Sequence, residues 1–272
     1  MRAHAILLFL TACLLSACSK PATTPAPAGA PPISAAAPAG KAERSILVLA
    51  AASLSAVIKE INAAYEQAHP GVKVDVSLAG SQQLRTQVES GAAADVFLSA
   101  NQEHADELFR KQLCKEPEVF VHNELALAVS AKSGKVKAFG DLLNEGVGVV
   151  ICAKDVPAGK YAEKALDAYA KAGHADEVEK IRARIVSRES NVENATMKVQ
   201  LGEADAGFVY QTDLKRANLP GARLPQEMRL LATYAKCVLT ASQQPEEAQR
   251  YLQFLGGPEA KEALERAGFT MP

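Results

Sequence analysis

Small and hydroxyl-bearing residues follow four short apolar runs of the sequence, where they could bind an anion. Each run predicts a strand, and the residues after it predict the start of a helix. A helix start presents unpaired backbone N–H groups and the positive end of the dipole, so it can hold an anion without a cationic side chain. Several starts around one cleft would form a cage of neutral donors that suits a fully ionised oxyanion. The runs and their helix starts are 46–52 with Ser53, 74–79 with Gly80 and Ser81, 147–151 with 155–159, and 185–186 with 189–192.

The predicted secondary structure around these residues alternates between strands and helices. Apolar residues at spacings of three and four in 54–67 are typical of a helix that packs on a sheet. Alternation of this kind predicts an α/β fold with a largely parallel sheet, in which ligands bind at the carboxyl ends of the strands. We place strands at 46–50, 73–78, 96–99, 125–130, 147–152, 206–209 and 235–240, and helices at 54–67, 82–90, 102–111, 160–172, 192–200, 246–254 and 259–267.

Residues 1–17 are typical of an export signal. Arg2 and His4 give a weakly basic start, an apolar run follows at 5–15, and small residues precede Cys18. The run is too short to span a membrane. The tetrad at 15–18, Leu-Ser-Ala-Cys, resembles the lipobox of bacterial lipoproteins, whose cysteine is lipid-modified. The alternative is an ordinary secretory signal that contains a cysteine.

Residues 18–44 contain mostly Pro, Ala, Thr, Ser and Gly after the cysteine, which predicts a flexible tether between the lipid anchor and a globular part. The globular part contains Cys114, Cys152 and Cys237. Three cysteines cannot all form disulfides with one another. The sequence does not indicate which two could form a disulfide in an oxidising compartment.

The composition argues against several classes of partner. The formal net charge is −1 and there is no basic stripe, which argues against nucleic acid. The chain has no Trp, so an aromatic platform for sugars or bases is not expected. The five histidines are scattered without the spacing of a metal-ligand cluster, and we expect no cofactor.

Five segments resemble, in order, those of the periplasmic molybdate-binding proteins of ABC transporters. The resemblance covers residues 45–272. The segments are AAASL at 50–54, GAAADVFLSA at 91–100, VPAGKYA at 156–162, GEADAGFVY at 202–210 and GFT at 268–270.

The resemblance implies a two-lobed periplasmic binding protein fold of type II. Each lobe would be a mixed, mainly parallel sheet flanked by helices, with the ligand cleft between the lobes. Lobe 1 would comprise 45–123 plus 235–272, and lobe 2 would comprise 124–234.

The resemblance also implies five ligand residues for the anion. Ser53 would donate its hydroxyl and its backbone N–H, and Ser81 would supply a second hydroxyl. Ala158 and Val192 would donate backbone N–H groups, and Tyr210 would donate its hydroxyl. Taken singly, the serines could be ordinary helix N-caps and the tyrosine a core residue.

Two features depart from the pattern of that family. The second serine motif is usually richer in serine, whereas residues 80–83 contain Ser81 as their only hydroxyl. Relatives commonly have a basic residue after the valine, whereas this chain has Glu193, which makes the local field less favourable to anions.

The expected function is capture of molybdate, or tungstate, by a monomeric, membrane-anchored lipoprotein outside the cytoplasm that is not an enzyme. The ligand would pass to an ABC permease and its ATPase subunit. Molybdate is fully deprotonated at neutral pH and needs donors only, whereas phosphate binders add an acceptor for a protonated oxygen. Asp155 lies close enough in the sequence to be such an acceptor.

Two other functions remain open at this point. Sulfate or thiosulfate would suit the same donors, and the sequence does not measure the pocket. An exported α/β hydrolase would need a nucleophile and a base, but there is no Gly-x-Ser-x-Gly elbow and no histidine placed to serve Ser53 or Ser81. Iron binders of this fold use adjacent tyrosines, and Tyr210 has no tyrosine neighbour.

Overall fold

The computed structural model describes residues 44–272, and its N-terminal part repeats a strand–helix unit three times. The fourth strand, β4, is much longer than the third. The elements of this part are β1 Arg44–Ala51, α1 Ser55–Ala68, β2 Val72–Ala79, α2 Ser81–Glu89, β3 Val96–Ser99, α3 Gln102–Arg110 and β4 Glu118–Val129.

A second series of strand–helix units follows β4. The remaining elements are β5 Val149–Cys152, α4 Pro157–Tyr169, α5 Ala175–Ala183, β6 Ile185–Glu189, α6 Val192–Leu201, β7 Ala206–Tyr210, α7 Gln211–Ala217, β8 Gly221–Ala222, β9 Leu231–Val238, α8 Pro245–Leu255 and α9 Pro258–Ala267.

The strands form one mixed sheet in the order β2-β1-β3-β9-β4-β7-β5-β6, with β8 beside β4. Strand β1 runs parallel to β2 and β3, and β5 runs parallel to β6 and β7. Strands β9 and β4 pair antiparallel with each other and with these two parallel groups. We call β1–β3 with their helices the β1 side, and β5–β7 with theirs the β5 side. The predicted mixed α/β fold with mainly parallel groups is confirmed.

Helix α1 shows why the elements pack as they do. Its residues Val57, Ile58, Ile61 and Tyr65 are all buried, so the stripe expected from the sequence faces the core. This core also contains Val192, Tyr210 and Tyr234, and residues from both sides therefore pack in one apolar cluster.

Helices α5 and α7, strand β8 and the first part of β4 were not predicted. Strand β8 has only two residues, too few to show a pattern. Helix α5 is mostly charged and buries only Val178 and Ile181, so its apolar stripe is short. Helix α7 follows β7 directly, so no turn residues in the sequence mark where the helix begins. The first part of β4 pairs with β9 across a register shift, and its sequence there mixes polar and apolar residues.

The three cysteines of the described part are buried free thiols. Cys114 and Cys237 pack in the same apolar cluster, where Cys114 Sγ donates to the carbonyl oxygen of Ala105 at 3.6 Å, while Cys152 lies in β5. The predicted export signal, Cys18 and nearly all of the tether lie outside the described residues. Within residues 44–272, no helix is both long and apolar enough to cross a membrane.

Candidate oxyanion site

One small cavity brings together the five ligand residues predicted from the sequence. Only about 10 Å³ inside it can hold the centre of a water molecule, so the site has room for a very small ligand. None of the described residues that line it carries a charged side chain. The lining residues are Ser53, Ser81, Ala158, Val192 and Tyr210, together with Ala51, Ala52, Ala79, Gly80, Ala100, Val156, Pro157 and Asn191.

Ser81 is the first residue of α2, and its hydroxyl does not cap that helix. The N-cap is Gly80, and Ser81 Oγ instead accepts a hydrogen bond from the backbone N–H of Ala100 at 3.0 Å. Because an N–H can only donate, the hydroxyl hydrogen of Ser81 remains available to the cavity. A side chain at Gly80 would lie 2.6 Å from the carbonyl oxygen of Ser190, so the close approach requires glycine.

Ser53 lies in the 3₁₀ turn Ala52–Leu54 between β1 and α1, and it does not cap a helix either. Its Oγ lies 2.7 Å from Tyr234 Oη, and the side chain of Asn123 donates to the same phenol oxygen at 3.2 Å. Tyr234 and Asn123 are not among the site residues predicted from the sequence. They lie far from Ser53 in the chain and belong to strands that carry no motif of their own.

Ala158 is the second residue of α4, which begins with Pro157 at its first position. Proline suits that position because the first N–H of a helix has no intrahelical partner. A side chain at Gly159 would lie 2.1 Å from the carbonyl oxygen of Ala153. Glycine therefore lets the helix start approach the end of β5, and it brings Ala158 to the cavity.

Val192 is the first residue of α6. Its N-cap is Asn191, whose side chain accepts from the N–H of Asn194 at 2.9 Å. That cap satisfies the third N–H of the helix, so the N–H of Val192 is not used by the cap. The Glu193 carboxylate is 3.5 Å from the Arg216 guanidinium, which offsets the negative charge noted in the sequence.

Tyr210 ends β7 with its side chain fully buried. Its hydroxyl has no hydrogen-bond partner within residues 44–272. Burial raises the pKa of Tyr210 well above its usual range, so the phenol stays protonated and can donate. A buried hydroxyl without a partner needs an explanation, and a ligand in the cavity would provide one.

Two carboxylates lie near the site but do not line it. Asp155 is exposed, and its backbone oxygen, not its carboxylate, is 3.1 Å from His104 Nε2. Asp213 is buried behind Tyr210 and accepts from the Tyr210 N–H at 3.1 Å. Burial raises the pKa of Asp213 to about 6 although Arg216 opposes the shift.

Contacts between the β1 side and the β5 side surround the cavity. The side-chain amide of Gln82 donates to the carbonyl oxygen of Ser190 at 2.8 Å. His104 contacts the backbone of Asp155, and Lys160 forms an ion pair with Glu103. Burial and the neighbouring Arg85 lower the pKa of His104, so it is neutral in this contact.

Comparison with known proteins gives relatives along most of the chain. The molybdate-binding protein ModA of Mycobacterium tuberculosis is 32% identical over 244 residues, which cover 88% of this chain and 90% of that protein. An aconitate isomerase of a Pseudomonas species is 26% identical over 240 residues, covering 82% of this chain and 87% of the isomerase.

Solved structures show the same fold. The periplasmic molybdate-binding protein of Azotobacter vinelandii superimposes with a TM-score of 0.72 at 22% identity, covering 84% of this chain and 99% of that one. Residues 46–270 match the family described as bacterial extracellular solute-binding protein. This chain is therefore a member of the bacterial extracellular solute-binding protein family.

Proposed function

We propose that this protein captures a tetrahedral oxyanion, molybdate or tungstate, outside the cytoplasm and delivers it to an ABC importer. The observation that carries the proposal is the convergence of three helix starts, the turn at Ser53 and the hydroxyl of Tyr210 on one small cavity. The relative from Mycobacterium tuberculosis bears the name of a molybdate-binding protein and supports this choice of ligand.

The donors around the cavity suit an anion that carries no proton. Ser53, Ser81 and Tyr210 offer hydroxyls, and Ala158 and Val192 offer backbone N–H groups at helix starts. Hydrogen bonds to a charged oxygen are roughly twice as strong as neutral ones, and helix dipoles add to them, so a dianion can be held without a cationic side chain. Sulfate or thiosulfate shares this chemistry and is the alternative ligand.

Closure of two lobes around the anion is part of the proposal. Lobe 1 would comprise 45–123 plus 235–272, and lobe 2 would comprise 124–234. The pairing of β4 supports a boundary within that strand, because residues up to Glu124 pair with β9 and residues from Leu125 pair with β7. The anion would bridge the lobes, and its contacts with the second lobe would favour the closed state.

An enzymatic role is not favoured at this site, although one relative is an isomerase. A hydrolase or isomerase needs a base beside its reacting group. The Ser53 hydroxyl contacts a tyrosine and the Ser81 hydroxyl contacts a backbone N–H. The described lining residues contain no carboxylate, histidine or amine. We therefore propose binding and delivery without catalysis.

The remaining partners follow from the family and from the N-terminal sequence. We propose an ABC permease and its ATPase as partners, and a lipid anchor at Cys18 that holds a monomer at the membrane. Replacing Cys18 by Ser should release the protein into the soluble envelope fraction with ligand binding unchanged. A variant that stays in the membrane pellet would rule out the anchor.

Titration calorimetry of the purified protein with molybdate, tungstate, sulfate and phosphate tests the function. We expect one site for molybdate or tungstate, and a gain in unfolding free energy of about 2.7 kcal/mol at a ligand concentration one hundred times Kd. Binding of phosphate or sulfate, with no response to molybdate or tungstate, would overturn the assignment.

A further inference from the structure

A buried chain of polar side chains lies behind Ser53. Tyr234 Oη is 2.7 Å from Ser53 Oγ and 3.2 Å from the amide nitrogen of Asn123. The same amide nitrogen donates to Thr212 Oγ1 at 2.9 Å. All four side chains are buried, with Tyr234 and Asn123 fully inaccessible.

The chemistry of these groups gives the chain a direction. In this orientation of the Asn123 amide, its nitrogen faces the oxygens of Tyr234 and Thr212 and donates to both, while its Oδ1 has no partner within residues 44–272. Either hydroxyl of the Ser53–Tyr234 pair could donate, but the single hydrogen of Tyr234 has Ser53 Oγ as its acceptor among the described contacts, and directing it there leaves no buried hydrogen unpaired. Ser53 accepts this bond, and its own hydrogen is left to point into the cavity. Burial raises the pKa of Tyr234, so the phenol keeps the hydrogen that it must donate.

The surroundings of Tyr234 hold it in this arrangement. Its ring packs edge-on against Phe120, Tyr210 and Phe269, with centroid separations of 6.4, 6.1 and 5.4 Å. The Ser81 hydroxyl hydrogen is also free to point into the cavity, because Ser81 Oγ accepts from the backbone N–H of Ala100. Only Ser53, of these two serines, has a hydrogen direction that depends on side chains.

We propose that Asn123 and Tyr234 are positioning residues that orient the Ser53 hydroxyl as a donor and so make the cavity select anions that carry no proton. The proposal rests on the proposed function, because it assigns the selectivity of that same site. If the direction were reversed, Ser53 would present a lone pair to the anion. It would then favour a ligand with a protonated oxygen, such as hydrogen phosphate.

Two substitutions at Asn123 separate orientation from mere structural support. Asn123→Asp has nearly the same shape but only accepts at pH 8, so Tyr234 would donate to the carboxylate and Ser53 would donate to Tyr234. Asn123→Leu removes the amide donor, so either hydroxyl of the Ser53–Tyr234 pair can donate to the other. Calorimetry with molybdate should show a Kd at least about tenfold higher for Asn123→Asp, the loss of one hydrogen bond to a charged group. The rise should be only about two- to threefold for Asn123→Leu, because about half of the molecules still present the competent direction.

A merely structural role predicts the opposite order, since Asn123→Leu loses every hydrogen bond of the side chain. Ligand-free thermal unfolding, measured for both variants, reports that structural effect separately. If Asn123→Leu weakens molybdate binding more than Asn123→Asp, or if Asn123→Asp binds within about twofold of wild type, the proposal is wrong.

Double variants separate orientation from the added negative charge. With Ser53→Ala or Tyr234→Phe as background, Asn123→Asp should change the Kd by no more than about twofold, because the path from Asn123 to the anion is interrupted. A cost of tenfold or more that persists in both backgrounds would show charge repulsion and overturn the proposal.

The wild-type titration separates this proposal from the function on which it rests. If the wild-type protein binds sulfate rather than molybdate, the proposed function fails. The same variants are then titrated with sulfate, which is also fully deprotonated at pH 8. The expected order of the Asn123 variants is unchanged, and the reverse order would still refute the role of Asn123 and Tyr234.

Discussion

The β1 side and the β5 side of the cavity supply different kinds of donor. On the β1 side, Ser53 and Ser81 offer side-chain hydroxyls; Ser53 Oγ contacts the Tyr234 phenol behind the cavity, and Ser81 Oγ accepts from the backbone N–H of Ala100. On the β5 side, Ala158 and Val192 have apolar side chains, and they offer backbone N–H groups at helix starts. Tyr210 adds one hydroxyl to the β5 side.

The two kinds of donor are lost through different substitutions. A hydroxyl is lost with any substitution that removes it, whereas a backbone N–H survives every substitution except proline. The β5 side depends instead on close packing of the helix start, which Gly159 permits. The comparison therefore predicts opposite sensitivities for the two sides.

The largest effect on binding is expected from Ala158→Pro. The substitution deletes the N–H and places a ring where the anion would lie, so molybdate affinity should fall by at least about 3 kcal/mol, or more than a hundredfold. Ala158→Gly is the matched control because it keeps the N–H, and its Kd should stay within about threefold of wild type. If calorimetry shows normal binding by a folded Ala158→Pro variant, the backbone N–H of Ala158 does not bind the anion.

Asp213 on the β5 side should make stability depend on pH. Its folded pKa of about 6 lies above the ordinary value of 3.8, so its favourable contribution is present below about pH 4 and is lost as pH rises through 6. The difference corresponds to about 3 kcal/mol in unfolding free energy. Urea unfolding at pH 4 and pH 7.5 tests this. The unfolding free energy of Asp213→Asn, relative to that of wild type, should rise between pH 4 and pH 7.5. If the difference in unfolding free energy between the variant and wild type is the same at both pH values, the pKa of Asp213 is not raised by burial.

Ser53→Ala and Ser81→Ala test the β1 side. Each should weaken molybdate binding by about 1.5–3 kcal/mol, the range for a hydrogen bond to a charged group. Circular dichroism and thermal unfolding should show an intact fold. If Ser53→Ala prevents folding while Ala158→Pro binds normally, the serine has a structural role and the donor cage does not exist.

Of these substitutions, Tyr210→Phe should have the smallest combined effect on molybdate affinity and stability. Binding should weaken by about 1.5 kcal/mol, since one donor to the anion is lost. The unfolding free energy of the ligand-free protein should not fall, because the Tyr210 hydroxyl has no partner to lose within residues 44–272. A loss of stability without a loss of affinity, measured by urea unfolding and calorimetry, would make Tyr210 a core residue only.

The sequence predicts the local parts of the site better than the long-range ones. Each helix start follows from its own few residues, and so Ser81, Ala158 and Val192 lie at the starts of α2, α4 and α6. Ser53 differs slightly, because a 3₁₀ turn precedes α1. The alternative that the two serines are N-caps is not what the structure shows, since their hydroxyls have other partners.

The contacts that orient Ser53 could not be predicted in the same way. Tyr234 is 181 residues away from Ser53 in the chain, and Asn123 is 111 residues away from Tyr234. Only the pairing of β4 with β9 brings Asn123 and Tyr234 together. The paired charge of Glu193 is a similar case, because Arg216 reaches it from α7, a helix that the sequence analysis did not find.

A crystal structure of the protein with tungstate, using the anomalous signal of tungsten, would show whether both sides of the cavity bind the anion. We expect one tungsten peak in the cavity. The anion oxygens should lie within hydrogen-bonding distance, ~2.7–3.2 Å, of the Ser53 and Ser81 hydroxyls, the Ala158 and Val192 nitrogens and the Tyr210 hydroxyl. A tungstate bound elsewhere, or one in the cavity that contacts the serines but neither backbone N–H, would contradict this expectation.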